Sequence, residues 1–228
     1  MTDQFPALLF AAGRGTRMGV LGDKTPKCLI KVAGRPLLDH ALALTDAPAV
    51  SRKVINLHYK AQMIQEHLAG QDILFSHESD RALETGGGLR HALPHLGDGP
   101  VFTVNTDAVW SNQTAINTLA ATWQPHMDGL LLIVPKARAV GHLGNGDFDL
   151  SSNGHITRGG EYIYTGVQLL RTEALADIND AIFSLNKLWD RYLAKGTLYG
   201  VVYEGSWCDV GQPQSIKLAE DMIGYKGV

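Results

Sequence analysis

Residues 8–27 read LLFAAGRGTRMGVLGDKTPK, and the fold of the chain turns on this stretch. Leu8-Leu9-Phe10-Ala11-Ala12 is a short apolar run that passes straight into Gly13-Arg14-Gly15-Thr16-Arg17. An apolar run of that length closed by glycines is a buried strand opening into a tight loop. Glycine lets backbone N–H groups turn toward a ligand with no Cβ in the way. Arg17 and Lys27 follow, with Arg14 as a third cation. A nest of N–H groups beside cations suits a polyphosphate, because phosphate takes charge-assisted hydrogen bonds and Arg can hold it bidentately. Two common glycine loops do not fit. The dinucleotide fingerprint needs its third glycine one residue before Gly19, and no Gly-Lys-Ser/Thr follows at the Walker spacing.

Strand-like and helix-like runs alternate outward from that loop. Strands are predicted at 5–10, 54–57, 73–75, 101–104 and 130–134, and helices at 37–45, 61–68, 88–96 and 113–123. Near-continuous apolar strands in β-α-β-α order imply an α/β fold: a Rossmann-like, mostly parallel sheet covered by helices on both faces. Ligands of such sheets sit beyond the carboxyl ends of the strands. Residues 139–168 are rich in Gly, Asn and Ser and carry short strands near Phe148, near Ile156 and over 162–170. Helices are predicted again at 171–182, 185–195 and 215–223, with a strand at 198–203. A single domain over 1–228 is expected, residues 1–135 forming a nucleotide-binding half and 136–228 an acceptor half.

The chain has 228 residues, 45% of them hydrophobic and 19% charged, enough apolar content for a packed core. A formal net charge of −3 offers no broad surface for nucleic acid or membrane. MTDQFPALLF lacks the apolar stretch of a signal peptide, and no apolar run reaches bilayer length. Two cysteines, Cys28 and Cys208, make no disulfide framework, so a cytoplasmic location is expected. His91 and His95 have helical i, i+4 spacing, but Pro94 between them argues against a continuous helix, and no zinc set completes them.

Three further motifs carry chemistry. Leu83-Glu84-Thr85-Gly86-Gly87-Gly88 opens a predicted helix, where glycines permit close approach of something flat or anionic. Val101-Phe102-Thr103-Val104-Asn105-Thr106-Asp107 is an apolar strand with a polar end, placing the Asp107 carboxylate at the sheet edge. Mg²⁺ prefers one or two carboxylates plus substrate phosphates, and Asp107 fits that role. Trp207-Cys208-Asp209-Val210-Gly211 holds a further carboxylate, Asp209, whose role rests on the family resemblance of its motif.

A-A-G-x-G-T-R-M at 11–18, T-P-K at 25–27 and W-x-D-V-G at 207–211 together resemble the sugar-1-phosphate nucleotidyltransferases, or nucleotide-sugar pyrophosphorylases. The resemblance implies a glycosyltransferase-A-like nucleotidyltransferase fold. It assigns nucleotide contacts to Ala11, Ala12, Gly13, Arg14, Gly15, Thr16, Glu84, Thr85 and Gly87, and catalytic cations to Arg17 and Lys27. Asp107 and Asp209 become ligands of Mg²⁺. Gly146-Asp147-Phe148 and Tyr164-Thr165-Gly166-Val167 resemble the sugar-side motifs, giving a sugar-phosphate set of Asn105, Gly146, Asp147, Glu161 and Thr165. The sequence departs from the family at three points. Thr106 stands where Gly usually precedes the metal Asp. Glu84 stands where Gly is usual near the base; it reads either as an acceptor for an imino N–H of uracil or guanine, or as a solvated loop residue. The usual Glu-Lys pair is broken by Tyr162, leaving Lys187 or Arg158 to replace the second phosphate-binding lysine.

L-E-T-G-G-G and G-D-F most resemble the N-acetylmuramate-1-phosphate uridylyltransferase branch, tied to peptidoglycan recycling. The implied reaction moves a nucleotidyl group from an NTP, UTP by this branch, to N-acetylmuramate 1-phosphate and releases pyrophosphate. The alternatives are a GTP- or dTTP-using hexose-1-phosphate enzyme and a non-catalytic nucleotide-sugar-binding regulatory module. Arg17, Lys27, Asp107 and Asp209 are all present, which favours the enzyme. Its partners would be an NTP and a sugar 1-phosphate, with no nucleic acid or membrane, in a monomer or small homo-oligomer.

Overall fold

The computed structural model describes residues 3–226. β1 (Phe5–Phe10) lies inside the main sheet and feeds two separate cores, Ala7 and Leu9 on one face and Leu8 on the other. Such two-sided burial is why its sequence is apolar without alternation. After it come α1 (Val20–Lys24), a hairpin of β2 (Lys31–Val32) and β3 (Arg35–Pro36), α2 (Leu37–Leu44), β4 (Val50–Leu57), α3 (Ala61–His67) and β5 (Leu74–His77). The chain continues through α4 (Glu84–Leu96), β6 (Val101–Asn105), β7 (Ala108–Trp110), α5 (Ala115–Thr122), β8 (Gly129–Pro135) and β9 (Ala139–Val140). It ends with β10 (Phe148–Leu150), β11 (Ile156–Arg158), β12 (Tyr162–Leu170), α6 (Asn186–Lys195), β13 (Leu198–Val202), β14 (Trp207–Asp209) and α7 (Gln214–Met222).

The main sheet runs β13-β8-β12-β6-β1-β4-β5, with β10 and β11 continuing from the Tyr162 end of β12. β6, β1, β4 and β5 are parallel neighbours, and so are β8 and β13. β12 is antiparallel to both β6 and β8 and joins the two parallel blocks. Apolar residues of α2, α3 and α5 cover one face of the sheet, and those of α4 and α6 cover the other. A separate sheet, β7-β14-β9, packs with Met18 and α7 in a third core. Among the described residues, no helix is long and apolar enough to cross a membrane.

The structure corrects three expectations. α4 begins at Glu84, so the three glycines lie inside the helix rather than before it. Pro94 does not end α4 either; the helix runs through it to Leu96, held to the sheet by Leu89, Ala92 and Leu96. The predicted helix at 171–182 is only a 3-10 turn, Glu173–Asp177, followed by irregular chain. That chain has a different employment. Phe183 O accepts from the N–H groups of Gly86 (2.9 Å) and Gly87 (3.0 Å), Phe183 N donates to Leu83 O, and Arg90 donates to Ile178 O and Asp180 O. A helix there would leave the start of α4 without these partners.

Candidate active site

A cleft of about 360 Å³ opens at the carboxyl edge of the sheet, where β1, β4, β5 and β6 end. Ala11 and Ala12 continue the buried course of β1, and the chain surfaces at Gly13. Gly15 adopts φ +65°, and a Cβ on it would stand 2.6 Å from the Cβ of Lys27. Glycine is therefore required there both by conformation and by close approach. A 3-10 turn, Thr16–Met18, follows; buried Met18 roots it in the third core. Arg17 points back over the cleft, near enough to Gly211 that an added Cβ would lie 3.3 Å from its Nη1.

Lys27 opens a second 3-10 turn, and its Nζ lies 2.8 Å from Asp107 Oδ2 with the side chain only 12% exposed. Asp107 comes from the end of β6 and Asp209 from the end of β14. The small sheet joins them: Asp209 pairs with Ala108, and Val210 N donates to Asp107 O at 2.9 Å. Two motifs far apart in sequence thus present adjacent carboxylates. Thr106, where a glycine was expected, is buried and its hydroxyl donates to Phe10 O at 2.6 Å, tying β6 to β1 at the cleft floor.

The Asp209 carboxyl is held above the usual carboxylate range, first by burial and then by the negative charge of Asp107; Lys27, Arg17 and His142 pull the other way. Two half-buried carboxylates in mutual repulsion suit a divalent cation. Among the described residues no three His, Cys, Asp or Glu side chains enclose a metal. Mg²⁺ takes a carboxylate or two and fills its shell from phosphates and water.

The far wall holds a buried relay that motif reading missed. Asn56 Oδ1 accepts from Ala11 N (2.7 Å), Asn56 Nδ2 donates to Glu78 Oε1 (2.7 Å), and Glu78 Oε2 accepts from Leu83 N (2.7 Å). His58 Nδ1 donates to Glu78 O at 2.6 Å. The glycine turn, β4, β5 and the approach to α4 are fixed to one another by this chain. Its signal was present in sequence: an Asn inside the apolar run of β4, and a Glu directly after β5. His142 also escaped notice, and it lies within the field of Asp209.

Glu84 and Thr85 line the cleft at the start of α4. Glu84 is exposed and has φ +60°, a left-handed backbone that glycine would adopt without strain. Thr85 Oγ1 accepts from Leu185 N at 3.0 Å. Gly86, Gly87 and Gly88 face protein rather than the cleft. A Cβ on Gly86 would lie 2.4 Å from the Phe183 ring, on Gly87 2.8 Å from Ala181 O, and on Gly88 2.7 Å from Glu78 Oε1. Gly87, expected to touch the nucleotide, is buried with its N–H committed to Phe183 O. Arg14 turns away from the cleft, its guanidinium 5.5 Å from the centre of the Tyr59 ring.

Of the residues expected to hold the sugar phosphate, Asn105 lines the cleft and packs against Gly166. Other expected residues lie outside the cleft lining. Thr165 is wholly buried and its hydroxyl donates to Leu132 O at 2.9 Å, so it presents no group to a ligand. Asp147 Oδ2 accepts from Tyr164 N at 2.9 Å, and Gly146 is pressed so close to Gly160 O that no Cβ fits. Glu161 is exposed, with its carbonyl accepting from Lys136 N. Arg158 and Lys187, the stand-ins for a second lysine, pair with Asp190 and Asp180, each at 2.6 Å.

Residues 7–181 match the model of the MobA-like NTP transferase domain. The chain belongs to this family. It is a nucleotidyltransferase, as its relatives are named. It is 40% identical over 229 residues to an N-acetylmuramate α-1-phosphate uridylyltransferase of Caulobacter vibrioides, covering 94% of this chain and 95% of that one. A protein of the same name from Neisseria meningitidis is 31% identical, with 96% and 98% covered. The inositol-1-phosphate CTP transferase of T. maritima superposes with a TM-score of 0.79 over 99% of this chain and 98% of its own, and at 14% identity the likeness is one of fold. The NTP transferase thus has the α/β architecture expected from its strands.

Proposed function

We propose that this nucleotidyltransferase is a single domain that transfers a uridylyl group from UTP to N-acetylmuramate 1-phosphate, with release of pyrophosphate, in the cytoplasm. The observation that carries the reading is the cluster of Arg17, Lys27, Asp107 and Asp209 over the glycine turn. The acceptor phosphate oxygen is itself the nucleophile, so no covalent enzyme intermediate is needed. It attacks the α-phosphorus, a new P–O bond forms, and the bond to the pyrophosphate oxygen breaks. The protein's task is alignment and neutralisation of charge. Backbone N–H groups around Gly13 and Gly15 receive phosphate oxygens. Lys27 carries positive charge at the transferring phosphoryl group, and Arg17 carries it above the turn. Asp107 and Asp209 would hold Mg²⁺, which supplies charge neutralisation between phosphates.

The sugar and base come from the names of the two relatives and from the L-E-T-G-G-G and G-D-F resemblance. The left-handed backbone at Glu84 supports a role for its carboxylate at the base, since strain at a cleft residue persists where function retains it. Pyrophosphate release with four NTPs against N-acetylmuramate, N-acetylglucosamine, glucose and mannose 1-phosphates tests the whole reading. The highest kcat/KM should fall on UTP with N-acetylmuramate 1-phosphate. A preference for GTP with mannose 1-phosphate would replace both substrates while leaving the chemistry in place. Loss of turnover in chelator, restored by Mg²⁺, should accompany it.

A further inference from the structure

α1 has five residues and stands over the glycine turn with Val20 and Leu21 facing solvent. A helix that short does not sustain itself, and its last carbonyls lack helical partners. One side chain takes two of them: Lys60 Nζ donates to Asp23 O at 2.6 Å and to Lys24 O at 2.8 Å. Tyr59 Oη donates to Gly22 O at 3.3 Å. The Tyr59 ring also carries the Arg14 guanidinium and the Lys60 ammonium, 5.5 and 5.4 Å from its centre. Lys60 does this from a left-handed backbone, φ +50° and ψ +42°, which is strained for a residue with a Cβ. The contacts then continue inward. Gly22 packs on the glycine turn, where a Cβ would stand 2.8 Å from Gly15 O. Gly15 packs on Lys27, and Lys27 pairs with Asp107.

We propose that Tyr59 and Lys60, on the loop between β4 and α3, are positioning residues for the NTP: they clamp α1 onto Gly15 and so fix the glycine turn and Lys27 against the triphosphate. Neither lines the cleft, so both act through α1. The proposal rests on the nucleotidyl-transfer reading. Its test compares wild type with Lys60→Ala, Tyr59→Leu, Lys60→Arg and Lys60→Gly in the full chain. In pyrophosphate release at saturating sugar 1-phosphate, the first two variants should raise the NTP KM about tenfold, the scale on which a coupled distant residue acts. The sugar 1-phosphate KM should stay at the wild-type value. Lys60→Arg should recover most of the loss. Lys60→Gly removes the amine and the backbone strain together, so it should melt no lower than wild type and still show the NTP defect. Trypsin gives a readout without turnover: nucleotide-free Lys60→Ala should be cut faster after Arg17 and Lys24. A wild-type NTP KM in Lys60→Ala, with cutting after Arg17 and Lys24 at the wild-type rate, would overturn the clamp, as would equal loss toward both substrates. Wild-type protein that releases no pyrophosphate with any pair would instead remove the underlying reading, and the tryptic comparison would still decide the clamp.

Discussion

Two glycine clusters border the cleft and do opposite things. At the end of β1, Gly13 has no atom within 4 Å of where a Cβ would sit, and Gly15 turns through φ +65°. The space around Gly13 is free for a ligand. At the start of α4, the same kind of sequence has its space filled by the Phe183 ring, Ala181 O and the Asn56–Glu78 pair. The first cluster leaves open space above the turn; the second is glycine so that α4 can be pressed against the 181–183 segment, Asn56 of β4 and Glu78 after β5. A glycine run reports a missing Cβ, and only the tertiary neighbours say what takes its place. Residues 136–228 teach the same lesson. Their motif residues Gly146, Asp147 and Thr165 are consumed in holding the β10–β12 corner and the bulge of β12.

The largest expected effect follows from Lys27, which leans on Gly15 and faces Asp107. Lys27→Ala should lower kcat about 10²- to 10³-fold, the cost of removing one preorganised charge-stabilising group, with little change in melting temperature. Lys187→Ala, on an exposed ion pair outside the cleft, should leave kcat unaltered. Equal losses in the two variants would show that the cleft described here is not where the phosphoryl group moves.

Much of this was legible because the chemistry is local to strand ends. A buried strand, a glycine turn and a polar strand terminus can each be read from a few consecutive residues, which is how Gly13, Lys27 and Asp107 became candidates; Asp209 became one through the W-x-D-V-G resemblance. What escaped depends on partners distant in sequence. The 171–182 stretch has helix-like apolar spacing, but the Arg90 side chain binds the Ile178 and Asp180 carbonyls in another form, and the N–H groups of Gly86 and Gly87 hold Phe183 just beyond it. β7, β9 and β14 are two or three residues long, too short for periodicity to register, yet they bring Asp107 beside Asp209. Thr165 lies in a matching motif, and only the register of β12 on β8 shows that its hydroxyl points inward.

The second glycine cluster can be broken directly. In Gly86→Ala the new methyl group would meet the Phe183 ring at 2.4 Å and Phe183 O at 2.9 Å. Overpacking of this kind costs about 1–3 kcal/mol, to be read from denaturant unfolding. The folded fraction should keep a near-normal NTP KM, because the glycine faces protein. A large rise in KM without loss of stability would put this face of α4 in contact with ligand after all.

Gly13→Ala should behave in the opposite way. Its backbone is not left-handed, and no neighbour contests a methyl group. Stability should hold or rise by about 0.4–1 kcal/mol, the usual gain from a less flexible unfolded chain. The NTP KM should rise, since Gly13 lines the cleft. A variant that binds NTP normally would make Gly13 a surface residue with no role in the turn.

The smallest effect concerns the carboxylate pair and is read in the metal-free protein. Burial, then the charge of Asp107, keep the Asp209 carboxyl above its usual range. Between the unfolded value and that raised value, the native state keeps a proton that the unfolded chain has already lost. Linkage then makes this contribution to stability fall as pH rises through the window. Below the window, Asp209 is protonated in both states and resembles the neutral amide of Asp209→Asn. Above it, wild type carries a buried charge beside Asp107 and the variant does not. The melting temperature of Asp209→Asn should therefore climb relative to wild type as pH rises from the acid side, then level off. Since Asp209 is only partly buried, about 1 kcal/mol or less is at stake, roughly 2–4 °C at most for a chain of this size. Mg²⁺ should shrink the difference, because a divalent cation favours the ionised pair in wild type. A difference flat in pH would mean that Asp209 does not feel Asp107, and the shared metal site would lose its physical basis even if Asp209→Asn were inactive.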